Sequence, residues 1–308
     1  MVACLAAALQ HVSRVLAYSR RTDSKQLLLL LEMKRPYTKT NADLIAAMLR
    51  GSWRLFPPEP EISAGELTTV GPLLRGSGAG ALGWWGIRGN KLNEPATASD
   101  LFHAYRFHAI NACLYQLKIK QAFSLLRSIS VEPILIKGWA NARLYPEVGL
   151  RPYSDVDLCV RPDQYGAAEA VLKTPVGLNC RVDLHKGLGR LDERSWDYFH
   201  ARSRLVGLDE IDVRVLSPED HIHIISFHML EDGAWRPILL CDVAAAVEAA
   251  SSTFDWDACL GKNKCRAKWI ASWIGLAHPL LGARVELCSH RIRRQKLPNW
   301  LIPAVRRH

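Results

Sequence analysis

The chain has 308 residues, of which 49% are hydrophobic and 23% are charged, as in ordinary globular proteins with a sizeable core. No apolar run approaches the roughly 18 residues that a membrane-spanning helix needs, which excludes such a helix. The apolar stretch Val2–Leu9 has no basic residue before it and so makes a poor secretory signal. Eight cysteines without a Cys-x-x-Cys pair are typical of reduced thiols, so we expect a cytoplasmic protein without a zinc site.

The net charge of +10 is concentrated near the C-terminus. Residues 261–308 contain eleven Lys or Arg and one acid, Glu286, which accounts for the whole excess. Such a basic segment is typical either of a surface that binds RNA or another polyanion, or of a solvated helix face. Both interpretations stay open, and we expect no membrane partner.

Taken in chain order, residues 1–95 are predicted to be mostly helical, with breaks at prolines and glycines. Thr40 marks one helix start. A long helix is predicted from Ser99 or Asp100 to about Ser128, because apolar residues recur there at helical spacing.

The next stretch, Ile134–Gly138, predicts a buried strand that ends in Lys137-Gly138 and is followed by a helix to Tyr145. A glycine before a helix lets backbone N–H groups approach a phosphate, and Lys137 would add a positive charge. The alternative is an ordinary turn between a strand and a helix.

The following loop carries Arg151 and leads into Asp155-Val156-Asp157. Alternation along a strand places both carboxylates on one face. Two carboxylates about 5 to 7 Å apart repel by roughly 2 to 3 kcal/mol at an effective dielectric constant of about 20. A Mg²⁺ ion would relieve that repulsion, while Arg151 could balance the acids or contact a triphosphate. The alternative is that both acids lie on a solvated strand face.

A third carboxylate, Asp183, lies in a second alternating run, Cys180–His185. Asp183 and His185 are expected to share one face of this strand. Neighbouring strands are about 4.8 Å apart, so pairing of the two runs would bring Asp183 within metal-bridging reach of Asp155 and Asp157.

These patterns predict an α+β fold, with a small mixed β-sheet core and helices, flanked by N-terminal and C-terminal helical regions. The expected regions are 1–95, mostly helical; 96–216, the core; and 217–308, helical with the basic tail. In the third region Ser217-Pro218 is a strong helix start. Trp235, Arg236 and Asp242 could reach back to a cleft in the core, although spacing alone does not show it.

Three segments, 135–138, 151–160 and 182–185, together with Tyr145 resemble a known family. They are similar to the large, mostly uncharacterised bacterial nucleotidyltransferase family of the polymerase-beta-like nucleotidyltransferase superfamily. The resemblance covers about residues 100–250 and is strongest from Ile134 to His185.

The resemblance implies a magnesium-dependent enzyme, with two ions, that moves a nucleoside monophosphate from a nucleoside triphosphate to an acceptor hydroxyl and releases pyrophosphate. The acceptor would be a small molecule, a protein or RNA. Where the superfamily prefers Gly-Ser, this chain has Gly138-Trp139, so the hydroxyl that would bind the γ-phosphate is missing. The implied catalytic residues and metal ligands are Asp155, Asp157 and Asp183. The implied nucleotide-binding residues are Lys137, Gly138 and Arg151.

Two alternatives stay open. A catalytically inactive member of the same fold would bind a nucleotide or RNA without transferring anything. A metal-dependent hydrolase would instead use the histidines of residues 217–230, above all His221 and His228, although their spacing is not that of a zinc site.

Overall fold

The computed structural model describes residues 39–93, 96–189, 194–231, 236–286, 288–294 and 296–306. The chain separates into two units, Met1–Lys39 and Thr40–His308, and every element named below belongs to the second. The helical prediction for residues 1–38 lies outside the described residues.

The second unit begins with a series of helices. They are α1 Asn41–Leu49, α2 Ala64–Gly76, α3 Gly80–Ile87 and α4 Ala96–Arg127, with a short 3₁₀ helix at Lys91–Asn93. Both α1 and α2 start at capping boxes, in which the side chains of Thr40 and Ser63 accept the N–H of an acid three residues later. The predicted helix start at Thr40 is confirmed, and α4 begins slightly earlier than expected.

A five-stranded mixed sheet occupies the middle of the chain. Its strands are β1 Ile134–Leu135, β2 Val156–Val160, β3 Val182–Lys186, β4 Arg204–Leu208 and β5 Ile211–Val215. They lie in the order β3-β2-β1-β5-β4. β1 is antiparallel to β2 and parallel to β5, β2 and β3 are parallel, and β4 and β5 are antiparallel. The predicted α+β class with a small mixed sheet is confirmed.

Strand β1 is shorter than the run Ile134–Gly138 predicted. The chain leaves the sheet after Leu135, although the N–H of Ile136 still donates to the carbonyl oxygen of Asp157 at 3.1 Å. Lys137 and Gly138 then form the turn that leads from the sheet into the helix Trp139–Ala142.

The remaining helices lie between the strands and after the sheet. Between the strands are α5 Trp139–Ala142, α6 Tyr165–Leu172, α7 Pro175–Asn179 and α8 Trp196–Arg202. After the sheet are α9 Pro218–Glu231, α10 Pro237–Glu248, α11 Trp256–Leu260, α12 Lys264–Leu281, α13 His290–Arg293 and α14 Leu301–Val305. The predicted start at Ser217 is confirmed, because its hydroxyl accepts the N–H of Asp220 at 3.2 Å.

Two large hydrophobic cores meet along helix α4. The first is shared by the helices before the sheet and the helices after it, with Leu82, Ile238 and Ile270 among its members. The second lies between the sheet and the C-terminal half of α4. Leu101 belongs to the first core and Leu126 to the second. The division into regions 1–95, 96–216 and 217–308 stays a prediction, while α4 clearly serves both cores.

Two further expectations concern helices and cysteines. Within the described ranges, no helix combines the length and apolar character needed to cross a membrane. The seven cysteines that lie in those ranges are free thiols.

Candidate active site

The two acidic strands lie side by side at one end of the sheet. Parallel pairing of β2 and β3 sets Asp157 directly opposite Asp183. Asp157 is buried, with 2% of its surface exposed, whereas 60% of the Asp183 side chain is exposed. The predicted pairing of these two strands is therefore present, and it places the buried carboxylate of Asp157 opposite the exposed carboxylate of Asp183.

Two basic side chains lie next to these carboxylates. Lys137 Nζ is 2.9 Å from Asp157 Oδ1. His185 Nε2 is 3.4 Å from Asp157 Oδ1 and 3.4 Å from Asp183 Oδ2. The candidate ligand atoms of Asp157, Asp183 and His185 lie within 4.8 Å of one another, so these three residues could hold a metal ion.

The electrostatic environment differs between Asp157 and Asp155. Burial alone would raise the pKa of Asp157, but the hydrogen bond with His185 and the ammonium group of Lys137 together lower it. The pKa of Asp155 is raised, first because its carboxylate is partly desolvated beside the cavity although its side chain reaches solvent, and then by the negative charges of Asp157 and Asp183, with Lys137 opposing. A bound cation would offset both causes.

Asp155 itself lies in the bend just before β2, not in the strand, and it is exposed. The alternation of a strand therefore does not fix its side chain as it fixes that of Asp157. Asp155 lies outside the cluster of Asp157, Asp183 and His185, but it lines the cavity beside that cluster. Its role as a metal ligand stays a prediction.

The Lys137-Gly138 turn packs against the loop that carries Asp155. Gly138 has φ of +59°, in the left-handed region that favours glycine. A Cβ atom added to it would lie 3.5 Å from the carbonyl oxygen of Asp155 and 3.6 Å from Cβ of Tyr153. The turn thereby places Lys137 and Asp155 at the same cavity.

Arg151 is held by Asp242 of helix α10. Its Nη2 donates to Asp242 Oδ2 at 2.7 Å, and its Nε lies 3.1 Å from the same oxygen. Asp242 is 1% exposed, and it also accepts hydrogen bonds from Asn141 Nδ2 at 2.9 Å and from the Tyr145 hydroxyl at 2.8 Å. Burial would lower the pKa of Arg151, but Asp242 more than compensates and raises it. This buried network joins α10 to the segment between β1 and β2.

A cavity of about 400 Å³ lies beside the acidic cluster. Five of the six residues predicted for the site line it: Lys137, Gly138, Arg151, Asp155 and Asp157. The sixth, Asp183, and its neighbour His185 are not among the lining residues. Other walls come from the middle of α4 and from the start of α10, through Phe107, His108, Asn111, Arg236, Ile238 and Leu239. The cavity thus lies where α4 passes from one hydrophobic core to the other.

Sequence reasoning assigned no role to His185 and suggested only that Arg236 and Asp242 reach a cleft, while Trp235 of the same expectation lies outside the described residues. His185 carried a usable signal, because it alternates with Asp183 on the same strand. Asp242 is 91 residues from Arg151, and no local pattern links two such distant positions.

The histidines of the hydrolase alternative have other partners. His221 is buried, and its Nε2 pairs with Asn141 Oδ1. Burial, followed by the charge of Arg143, lowers the pKa of His221 to about 4. His228 lines the cavity, but the metal-capable cluster found among the described residues contains neither histidine.

Comparison with known proteins gives one family. Residues 84–175 match the family model described as an uncharacterised nucleotidyltransferase. The matched range contains Lys137, Gly138, Asp155 and Asp157, and it ends before Asp183. No curated protein and no solved structure matches the chain.

Proposed function

We propose that the protein transfers a nucleoside monophosphate from a nucleoside triphosphate to an acceptor hydroxyl, because residues 84–175 match the model of an uncharacterised nucleotidyltransferase family. The observation that carries the proposal is the register of β2 and β3, which sets Asp157 opposite Asp183 beside the cavity. In this proposal residues 96–216 form the nucleotidyltransferase core, flanked by the helical regions before and after it.

The acidic cluster suits a divalent cation. Carboxylate oxygens are the ligands that Mg²⁺ prefers, and a buried carboxylate such as Asp157 requires a cationic partner. Asp157 and Asp183 would hold one ion with His185 beside them, and Asp155 would complete a site for two. Bound Mg²⁺ would supply Lewis-acid polarisation of the reacting phosphate and neutralise its charge. The nitrogen of His185 also makes Mn²⁺ a reasonable substitute.

The chain's own residues then divide the remaining work. The acceptor oxygen attacks the α-phosphorus, the bond from that phosphorus to the bridging oxygen of the β-phosphate breaks, and pyrophosphate leaves. Asp183 or His185, both outside the cavity lining, would accept the proton of the acceptor hydroxyl. Lys137 and the backbone at Gly138 would bind the phosphates from within the cavity, and Arg151 would add positive charge beside them.

RNA is one acceptor that is favoured by exposed basic and aromatic side chains in the C-terminal region. Helix α12 starts with exposed lysines, Lys264 and Lys268, and carries Trp269 with 48% of its surface exposed. Trp300, near the end of the chain, is 61% exposed. Exposed aromatic rings among basic side chains are typical of surfaces on which single-stranded nucleic acid stacks its bases. A small molecule or a protein hydroxyl remains the other class of acceptor.

The test is transfer of label. The purified protein is incubated with Mg²⁺, cell extract and each of the common triphosphates, labelled either at the α-phosphate or at the γ-phosphate. We expect an acceptor to gain the α-label only, with pyrophosphate released. Replacing Asp157 by Asn should reduce transfer at least about a hundredfold, because it removes the buried carboxylate from the site.

The matched control is Asp197→Asn, which removes an exposed carboxylate that pairs with Arg161 at 2.6 Å. This variant should transfer label at the wild-type rate. Magnesium-dependent triphosphate binding without transfer to any acceptor would favour the inactive binding module instead. Absence of triphosphate binding by the wild-type protein would refute the proposal.

A further inference from the structure

Three cationic side chains line the cavity, each on a different element. Lys137 lies in the turn after β1, Arg151 in the loop before β2, and Arg236 at the start of α10. In the structure Lys137 pairs with Asp157, and Arg151 pairs with Asp242. Arg236 brings positive charge from the helical region to a cavity whose other two cations belong to the core.

Arg236 is the N-cap residue of α10, a helix of 12 residues without a side-chain hydrogen bond at its cap. Ile238 and Leu239, in the first turn, line the cavity together with Arg236. The first N–H groups of a helix lack partners within the helix, and its dipole favours an anion at this end. In α10, however, Pro237 has no N–H and the N–H of Leu239 donates to the carbonyl oxygen of Arg236 at 3.1 Å, so the Arg236 side chain is the main source of positive charge at this end of the helix.

Two structural features position the Arg236 side chain. Six residues further along α10, Asp242 ties the helix to Arg151 and so to the core. Next to the guanidinium lies Gly78, with φ of +81°. A Cβ atom at Gly78 would come within 3.2 Å of Arg236 Nη2, so glycine there leaves room for the side chain.

The charge of the proposed substrate calls for such a group. A nucleoside triphosphate carries about four negative charges at neutral pH. Two divalent cations bound by three aspartates would have a net charge of about one positive unit, which is too little to balance the triphosphate. Lys137 and Arg151 add positive charge to the cavity, although Asp242 offsets much of the charge of Arg151, so a further cation would strengthen the binding of the phosphates.

We propose that Arg236 binds the terminal phosphates of the nucleoside triphosphate, because it lines the same cavity as Lys137, Asp155 and Asp157. The inference rests on the proposed function and goes beyond it by assigning a binding role to a residue of α10, outside the matched family range. With the α-phosphate near Asp155 and Asp157, the β- and γ-phosphates extend toward α10. The planar fork of an arginine suits a bidentate contact with a phosphate.

The test measures binding, so it does not require the acceptor. Dissociation constants are determined by calorimetry, with Mg²⁺, for inorganic tripolyphosphate, for the triphosphate that binds best and for its monophosphate. In Arg236→Gln the dissociation constants of the triphosphate and of tripolyphosphate should rise roughly ten- to a hundredfold. That of the monophosphate should stay within about twofold of the wild-type value.

Two further variants separate charge from fold. Arg161→Gln removes an exposed arginine that pairs with Asp197, and it should leave all three constants unchanged. Arg236→Lys keeps the charge but not the fork, and it should weaken triphosphate binding several-fold with the monophosphate unaffected. If circular dichroism shows that Arg236→Gln is unfolded, the binding constants of Arg236→Lys test the proposal instead.

The outcomes distinguish this inference from the proposed function. Triphosphate binding that survives unchanged in Arg236→Gln would overturn the role of Arg236 and leave the proposed transfer intact. Equal loss of triphosphate and monophosphate binding would show a structural role instead and would overturn the inference as well. If the wild-type protein binds neither triphosphate nor tripolyphosphate, both proposals fail.

Discussion

His221 shows what a single buried side chain contributes. It lies in α9 with Nε2 against Asn141, and burial lowers its pKa to about 4. In the unfolded chain a histidine has a pKa of about 6.5. Between about pH 4 and about pH 6.5 the histidine therefore binds a proton in the unfolded chain but not in the folded chain. Stability is therefore full above about pH 6.5 and falls as the pH drops toward 4.

We predict that the free energy of unfolding decreases by roughly 2 kcal/mol from this residue alone between pH 7 and pH 5. Urea denaturation at a series of pH values measures it. In His221→Gln, which keeps a polar group near Asn141, this part of the pH dependence should disappear. An identical pH dependence in the wild-type protein and the variant would contradict the assignment.

At the scale of elements, β2 and α10 depend on each other through the loop that carries Arg151. Asp242 is the residue that makes the connection, since it accepts hydrogen bonds from Arg151, Tyr145 and Asn141 at once. Its removal would leave a buried guanidinium without its carboxylate. A displacement of α10 would also move Arg236, which lies on the same helix.

For Asp242→Asn we predict a loss of about 3 to 5 kcal/mol in the free energy of unfolding, because a buried charge loses its partner. The comparison is Asp197→Asn, whose exposed pair with Arg161 should contribute less than about 1 kcal/mol. Both values come from urea denaturation at pH 7. Similar losses in the two variants would mean that the Asp242 network has no special structural importance.

The elements also show where sequence reasoning reaches its limit. Alternation predicted β2 and β3, and their pairing then placed Asp157 opposite Asp183. The same reasoning put Asp155 in the strand, whereas the strand begins at Val156. Local pattern determines which face a strand residue uses, but the exact residue at which a strand begins depends on packing.

At the scale of the described molecule, the long helix α4 contributes residues to both large hydrophobic cores. Leu101 is fully buried in the core of the flanking helices, and Leu126 is fully buried in the core under the sheet. The helix and its length were predictable from apolar spacing. The core shared by the helices before and after the sheet was not predictable, because the periodicity of a segment does not indicate its contacts with segments far away in the sequence.

If α4 couples the two cores, the described part of the chain should unfold in one transition. Leu101→Ala and Leu126→Ala are each predicted to destabilise it by about 2 to 5 kcal/mol and to shift the same transition. Urea unfolding followed by tryptophan fluorescence and by circular dichroism checks this. Two transitions, each shifted by only one variant, would show that the cores unfold independently.

The position of Asp183 has one more consequence for the proposed reaction. In the proposed reaction the 400 Å³ cavity would enclose the donor, while Asp183, 60% exposed on the terminal strand of the sheet, lies outside the cavity lining. The dimensions of the cavity then restrict which donor fits and set no upper bound on the bulk of the acceptor. Selection among acceptors would depend on contacts with the protein surface away from the reacting phosphate. Water, as the smallest nucleophile, would compete with the acceptor.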